Sequence, residues 1–430
     1  MLSRSFLLSA LVVGIVGTVR ADDWPQWRGP NRDGKSAEKG INVKWPEDGP
    51  KLLWSLQNPD AIGTGYGSPA VVGNHLFILG ANGPKQDAGE FCTCLNVKDG
   101  SKVWQTPLNT TPGKFLDGWG AGPRATPTVI GDDVYVLGAT GNLVCLTKAD
   151  GKVVWQKNLV TDFGGAIPLW GYSESVLVDG DHVICTPGKK TGMIALDKKT
   201  GKTVWECKEF GDGAGYSSII PTDIGGVRQY VQQTMSSGVG VRAKDGKLLW
   251  KVGEINRSVA VIPTPVVKDG HVFFTSGYRA GCELYRLEVD GEGTKATKVY
   301  SKNPVMANHH GGVIEFGGKI YGHSDSKQWL CLDYLNDSED PVWNSSKLDK
   351  GSISFADGYF FCYGENKGVL AVIKATDKGW EEVARFSIPK LSPTRPNQGK
   401  VWAHPVIANG KLYLRDYEML YCYDVSQPGA

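Results

Sequence analysis

The chain has almost no net charge: among 430 residues, 47 Lys and Arg stand against 45 Asp and Glu. The small excess is Arg4 and Arg20, so the remainder balances and a strongly basic nucleic-acid surface is excluded. After residue 21 no apolar run comes near the roughly 20 residues that span a bilayer, and no membrane span is expected. Nine cysteines are present, yet none adjoins another and none stands in a CxxC, CxxCH or zinc-type spacing. That removes c-type haem attachment and structural zinc. A Gly-x-Ser-x-Gly elbow, an HExxH pair, an EF-hand loop and a Walker phosphate loop are missing as well. What the chain does have is glycine: 56 of them, with 23 Pro, 14 Trp and 41% hydrophobic residues. It turns often and still buries a core, which excludes a disordered or collagen-like polymer.

Residues 1–21 read as a signal peptide, with Arg4 in the n-region, an apolar stretch from Phe6 to Val16, and Val19-Arg20-Ala21 before the expected cut. Ser5 to Val19 is too short for an anchor. The first cysteine, Cys92, is far from the cut, so no lipid attachment is expected there. Residues 22–49 then form an N-terminal extension ahead of a repeat region, 50–430, in a periplasmic or secreted protein.

The dominant signal is internal repetition. A phrase ending in Trp recurs as LNVKDGSKVW (95–104), LTKADGKVVW (146–155), LDKKTGKTVW (196–205) and VRAKDGKLLW (241–250). The same slot holds Trp54, Tyr300, Trp343 and Phe386. Upstream of each lies a pair of short alternating runs around a Gly or Asp turn, such as TPTVIGDDVYVLG (126–138) and HPVIANGKLYLRD (404–416). Each period therefore holds four short antiparallel strands, the size of one propeller blade. First strands begin near 68, 126, 173, 217, 263, 312, 352 and 403, which predicts an all-β, eight-bladed propeller. The last unit has three strands and no Trp strand, while KLLWSL (51–56) is a Trp strand without a unit. The N-terminal strand is expected to close the ring and leave no open edge. Trp54, Trp104, Trp155, Trp205, Trp250 and Trp343 are expected to dock one blade on the next. Cys94, Cys145, Cys331 and Cys422 occupy one small slot per repeat, filled by Ala195 in another copy. They are expected to be buried free thiols, too far apart to pair.

ALDKKTGKTVW (195–205) resembles the tryptophan-docking repeat of pyrroloquinoline-quinone (PQQ) type propellers, matching at Ala195, Asp197, Thr200, Gly201, Lys202 and Trp205. DWPQWRGPNRDG (23–34) and WGYSESVLVDGDHVICTPG (170–188) resemble secreted bacterial proteins with PQQ-binding-like propeller repeats. The resemblance covers about 50 to 426 and implies the same eight-bladed fold; it carries no reaction with it.

The links between blades should converge on the axis. They would gather Tyr66, Trp119, Arg124, Trp170, Tyr172 and Glu174 with Tyr216, Arg257, His309, His310, Trp402 and His404 around one funnel. Such a funnel suits a flat, polar or anionic ligand, a peptide or a saccharide. His309 and His310 are adjacent, so in an extended segment they point opposite ways and do not share a metal. Glu174 is the carboxylate expected in the inner links, as an ion-pair member rather than a calcium ligand.

Two functions fit. One is a non-catalytic binding or scaffolding propeller, a monomer, similar to the BamB component of outer-membrane assembly, from which this sequence departs in lacking a lipidated cysteine. The other is a PQQ-dependent quinoprotein dehydrogenase acting on an alcohol or sugar with calcium. The alcohol-oxidising members of that family carry adjacent cysteines over the cofactor, which are missing here. The binding reading is favoured, with no cofactor and no catalytic residue.

Overall fold

The alternation of apolar residues around Asn-Gly, Asp-Gly and Gly-Asp turns is realised as eight separate four-stranded antiparallel sheets. A computed structural model describes residues 23–57, 59–108, 113–253, 259–325 and 327–427. The blades span 70–107, 128–158, 177–207, 220–252, 266–303, 313–345, 351–387 and 406–424 in chain order. Each of the first seven begins with its innermost strand and ends with its outermost. The eighth blade has three strands of its own and takes Leu52–Leu56 as its fourth. That strand pairs antiparallel with Met419–Asp424, with Trp54 opposite Cys422. The ring is closed, as the surplus strand at one end and the deficit at the other required.

The repeated phrase acts at the blade-to-blade contact. Trp54, Trp104, Trp155 and Trp205 each donate Nε1–H to a backbone carbonyl of the next blade, at Val97, Lys148, Lys198 and Ala243. The ring of each Trp lies on the glycine of the next repeat. A Cβ on Gly100, Gly151, Gly201 or Gly246 would stand 2.9, 2.6, 2.8 or 2.5 Å from it, so only glycine fits. Within its own sheet each Trp faces a small residue: Trp104 faces Cys94, Trp155 Cys145 and Trp205 Ala195. The one-per-repeat cysteines are thus seats for the indole, and all nine cysteines are buried and unpaired. Trp343 docks by the same rule on Thr376 O, and Tyr300 substitutes its hydroxyl, donating to Tyr334 O.

Trp250 departs from the pattern. It packs with Val272 and Tyr285 of the fifth blade, but its Nε1–H donates to Gln229 Oε1 of its own blade. The fifth blade carries a long hairpin, Gly281–Asp290 and Gly293–Asn303, in place of the Gly turn that would receive it. Thr294 of that hairpin donates to the same Gln229 oxygen and makes the link in its stead.

The extension before the first strand is not a tail. Residues 23–36 enter the axial channel and touch the inner edge of every blade. Trp24 exchanges both backbone hydrogen bonds with Val71 at 2.8 Å, and Pro25 O accepts from Val129 N. Arg32 donates to Ser175 O, Val176 O and Ile219 O. Trp27 Nε1 donates to Thr264 Oγ1, Arg28 Nη2 to Val313 O, and Ser36 N to Phe355 O. The Trp27 ring sits edge-on to His404 of the eighth blade, centroids 4.7 Å apart. Trp24, Arg28 and Arg32 are buried in this plug.

Candidate functional site

The link entering each blade crosses the same face, where the inner strands start, and the eight links surround the axis. Above the plug they enclose a funnel of about 520 Å³ with Trp27 in its lining. Its aromatic wall is Tyr66, Trp119, Trp170, Tyr216 and Trp402, joined by Tyr278. Trp119 and Trp402 are 6.4 Å apart and inclined by 33°, and Trp170 and Tyr216 are 5.9 Å apart. Arg124 lies 5.4 Å from the centre of the Tyr66 ring and donates to the carbonyls of Gly120 and Trp170, so it braces the links as well as facing the cavity.

Polar side chains complete the lining beside Trp402 and Tyr278. They are His309, His310 and His404 with Glu365, Lys350 and Lys400. Burial, assisted by Lys350, pushes the His309 imidazolium down to about 4. Burial and the Arg28 guanidinium push His404 down to about 3. His310 is driven well below its ordinary value by burial and by its histidine neighbours. All three are therefore neutral imidazoles near neutrality. His404 Nε2 lies 3.1 Å from His310 O, while the Nδ1 atoms of all three are buried without a hydrogen-bond partner. Glu365 stands 3.5 Å from His310 Nε2, accepts from Trp402 Nε1 and has its carboxyl raised by burial. Lys350 is held by Asp325 at 3.0 Å.

Most of the residues expected in the funnel are brought together there: Trp119, Arg124, Trp170, Tyr216 and Trp402, with His309, His310 and His404. Tyr172 and Glu174 are not. Gly171 has φ +80° and turns the chain there, and neither side chain lines the cavity. Tyr172 is buried in an apolar cluster and donates to Pro187 O. Glu174 accepts from Thr186 N, and burial lifts its carboxyl to about 8 against the opposing pull of that hydrogen bond and of Arg32. Arg257 lies outside the described residues. The adjacent histidines also differ from expectation: the chain bends at His310, outside any strand, and both rings reach the cavity 5.4 Å apart.

Of the charged and aromatic lining residues, five are not among those expected from the sequence: Trp27, Tyr278, Lys350, Glu365 and Lys400. Trp27 belongs to the extension, which repeats nothing. Tyr278 and Glu365 sit in loops between second and third strands, a place where the inter-blade links gave no reason to look. Lys350 lies within the link 349–354, which carries no aromatic residue, and Lys400 immediately precedes the link 401–405.

The donor set decides the cofactor question. A calcium-bridged quinone needs several hard oxygen ligands, and the carboxylate lining the cavity is Glu365. Among the described residues no three His, Cys, Asp or Glu are placed to hold a metal, and every cysteine is buried away from the funnel lining. The residues present do not fit that group.

Fold and funnel define the class: a closed eight-bladed propeller of tryptophan-docked, PQQ-like repeats. The family model described as outer membrane protein assembly factor BamB matches residues 87–345, more than half of the chain, and the chain belongs to that PQQ-like propeller family. An outer membrane protein assembly factor BamB of Yersinia pestis is 23% identical over 389 residues, covering 85% of this chain and 86% of its own. That of Alkalilimnicola ehrlichii is 27% identical over 234 residues, covering 53% of this chain. The chain spans about half the length of that relative, 50%. Among solved structures, the quinohemoprotein alcohol dehydrogenase of Comamonas testosteroni superposes with a TM-score of 0.62 at 13% identity, covering 96% of this chain and 82% of its own. BamB of Moraxella catarrhalis superposes with 0.57 at 12% identity, covering 87% and 97%. At such identities the likeness is one of fold.

Proposed function

We propose that the protein is an extracytoplasmic, non-catalytic binding propeller that holds its ligand or partner in the axial funnel, as a monomer and without a cofactor. The observation that carries this reading is the funnel itself: aromatic and neutral imidazole surfaces from all sides, closed below by the chain's own N-terminal segment, with one carboxylate and no metal-binding cluster among the described residues. Of the serine hydroxyls on its wall, Ser173 donates to Gly171 O and Ser218 accepts from Ser175 N, neither bonding a histidine, so among the described residues no serine is paired with a base there. The relatives named as outer membrane protein assembly factors support a scaffold over an enzyme, and the signal-peptide pattern of residues 1–21 supports the compartment. The test is a titration of the purified mature chain with PQQ and calcium, followed by calorimetry and by dye-linked oxidation of alcohols. No stoichiometric binding and no dye reduction are expected; saturable PQQ binding with alcohol-dependent dye reduction contradicts the proposal and favours the quinoprotein alternative.

A further inference from the structure

Among the described residues the funnel has a mouth and no exit. Trp27 and the buried turns around Arg28 and Arg32 fill the axis, so a polymer cannot pass through and only a terminus or a free small molecule can seat fully. At the mouth, Trp119 is 43% exposed and forms with Trp402 a pair of gently inclined apolar plates. Flat indole faces backed by polar groups match a pyranose ring, which is apolar on its C–H faces and polar around its rim.

The polar wall matches the same ligand. Hydroxyl groups both donate and accept, and a neutral imidazole does both as well. His310 and His404 are 7% and 5% exposed, and each has a buried Nδ1 without a partner. Such atoms cost free energy until something hydrogen-bonds them. Glu365 adds an acceptor for a hydroxyl pair.

The charges favour an acid. Arg124, Lys350 and Lys400 line the funnel against Glu365. Lys350 is paired with Asp325, whereas Lys400 is half-buried with no ion pair among the described residues. Beneath His404 lies the buried Arg28, whose Nη1 also lacks a partner and whose other contacts are backbone carbonyls.

We propose that the funnel binds the terminal unit of an acidic saccharide, a uronic acid whose ring stacks on Trp402 and Trp119. Its hydroxyls meet the histidine wall and Glu365, and its carboxylate lies toward Lys400. The inference rests on the binding-propeller reading and names its ligand class.

The experiment is a calorimetric titration of the whole mature chain with trimers and longer oligomers of galacturonic, glucuronic and mannuronic acid, each beside its carboxyl-reduced counterpart. One uronate series is expected to bind with one protein per oligomer at every length, and its reduced counterpart about tenfold more weakly. Lys400→Gln is expected to bring the acid down to the affinity of the reduced sugar without moving Tm, and Trp119→Ala to weaken both. Protein bound per oligomer that rises with length overturns end recognition. Equal affinity for acid and reduced sugar, or an unchanged preference in Lys400→Gln, overturns the acid. Silence with every uronate overturns the inference outright; if a peptide then binds in the funnel, the binding-propeller reading survives it, and if PQQ binds with alcohol oxidation, both fall.

Discussion

At the residue scale, two kinds of tryptophan share one chain. Trp205 is sealed between blades, on Gly246 and hydrogen-bonded to Ala243 O, whereas Trp402 is half-buried on the funnel wall. Truncating a large buried aromatic costs about 3–5 kcal/mol, so Trp205→Ala should lower the denaturation midpoint severely and Trp402→Ala by well under half as much. Equal shifts in paired urea melts would contradict the assignment. The distinction was legible in the sequence, because the docking tryptophans recur with their glycine and small partner. The funnel residues have no such repeat. Tyr172 and Glu174 share a link with Trp170, and convergence of the links alone does not say which of a link's side chains face the axis; nothing in the string reveals the positive φ at Gly171.

Buried titratable groups set a pH dependence whose sign can be worked out. The unfolded chain takes up histidine protons below about pH 6.5, while the folded chain refuses them until about 4 at His309 and His323 and about 3 at His404. That stabilisation is complete above about pH 6.5 and is lost as the pH falls toward 4. Burial holds Glu90 and Glu174 protonated up to about 7 and about 8. Their contribution is complete below about pH 4.5, where the unfolded carboxyls are also protonated, and is lost as the pH rises through 7 to 8. Tm is therefore expected to peak at about pH 6–7. Glu174→Gln, which cannot ionise, should flatten the alkaline limb and leave the acid limb alone; an unaltered alkaline limb would show that Glu174 is not the group responsible.

At the scale of elements, the N-terminal segment does two jobs with one stretch of chain. Leu52–Leu56 closes the ring, and residues 23–36 fill its axis with hydrogen bonds to seven of the inner strands or the links into them. The first job was legible from arithmetic, as a three-strand unit at one end and an orphan Trp strand at the other. The second was not, because a plug meets each blade once with different residues and leaves no period. Removing residues 22–56 exposes the edge of Met419–Asp424 and empties the channel. Such a truncation should be recovered insoluble, and supplying the missing segment in trans during refolding should restore soluble protein. A soluble truncation melting like the whole chain would refute both roles.

At the scale of the whole molecule, eightfold repetition builds a rigid ring, and the differences between repeats are concentrated where the links meet. Docking phrases are alike because every blade faces the same neighbour problem, while the links are free to differ because they face the open cavity instead of the next blade. The blind, aromatic and histidine-walled funnel is the product of that division. Amide hydrogen exchange, read by mass spectrometry on the mature chain with and without a bound uronate trimer, tests this most directly. Protection on binding is expected in the link peptides 117–126, 168–175, 307–312, 349–354 and 401–405, with the outer strands unchanged. Protection confined to the outer strands or to the opposite face of the ring would contradict the account.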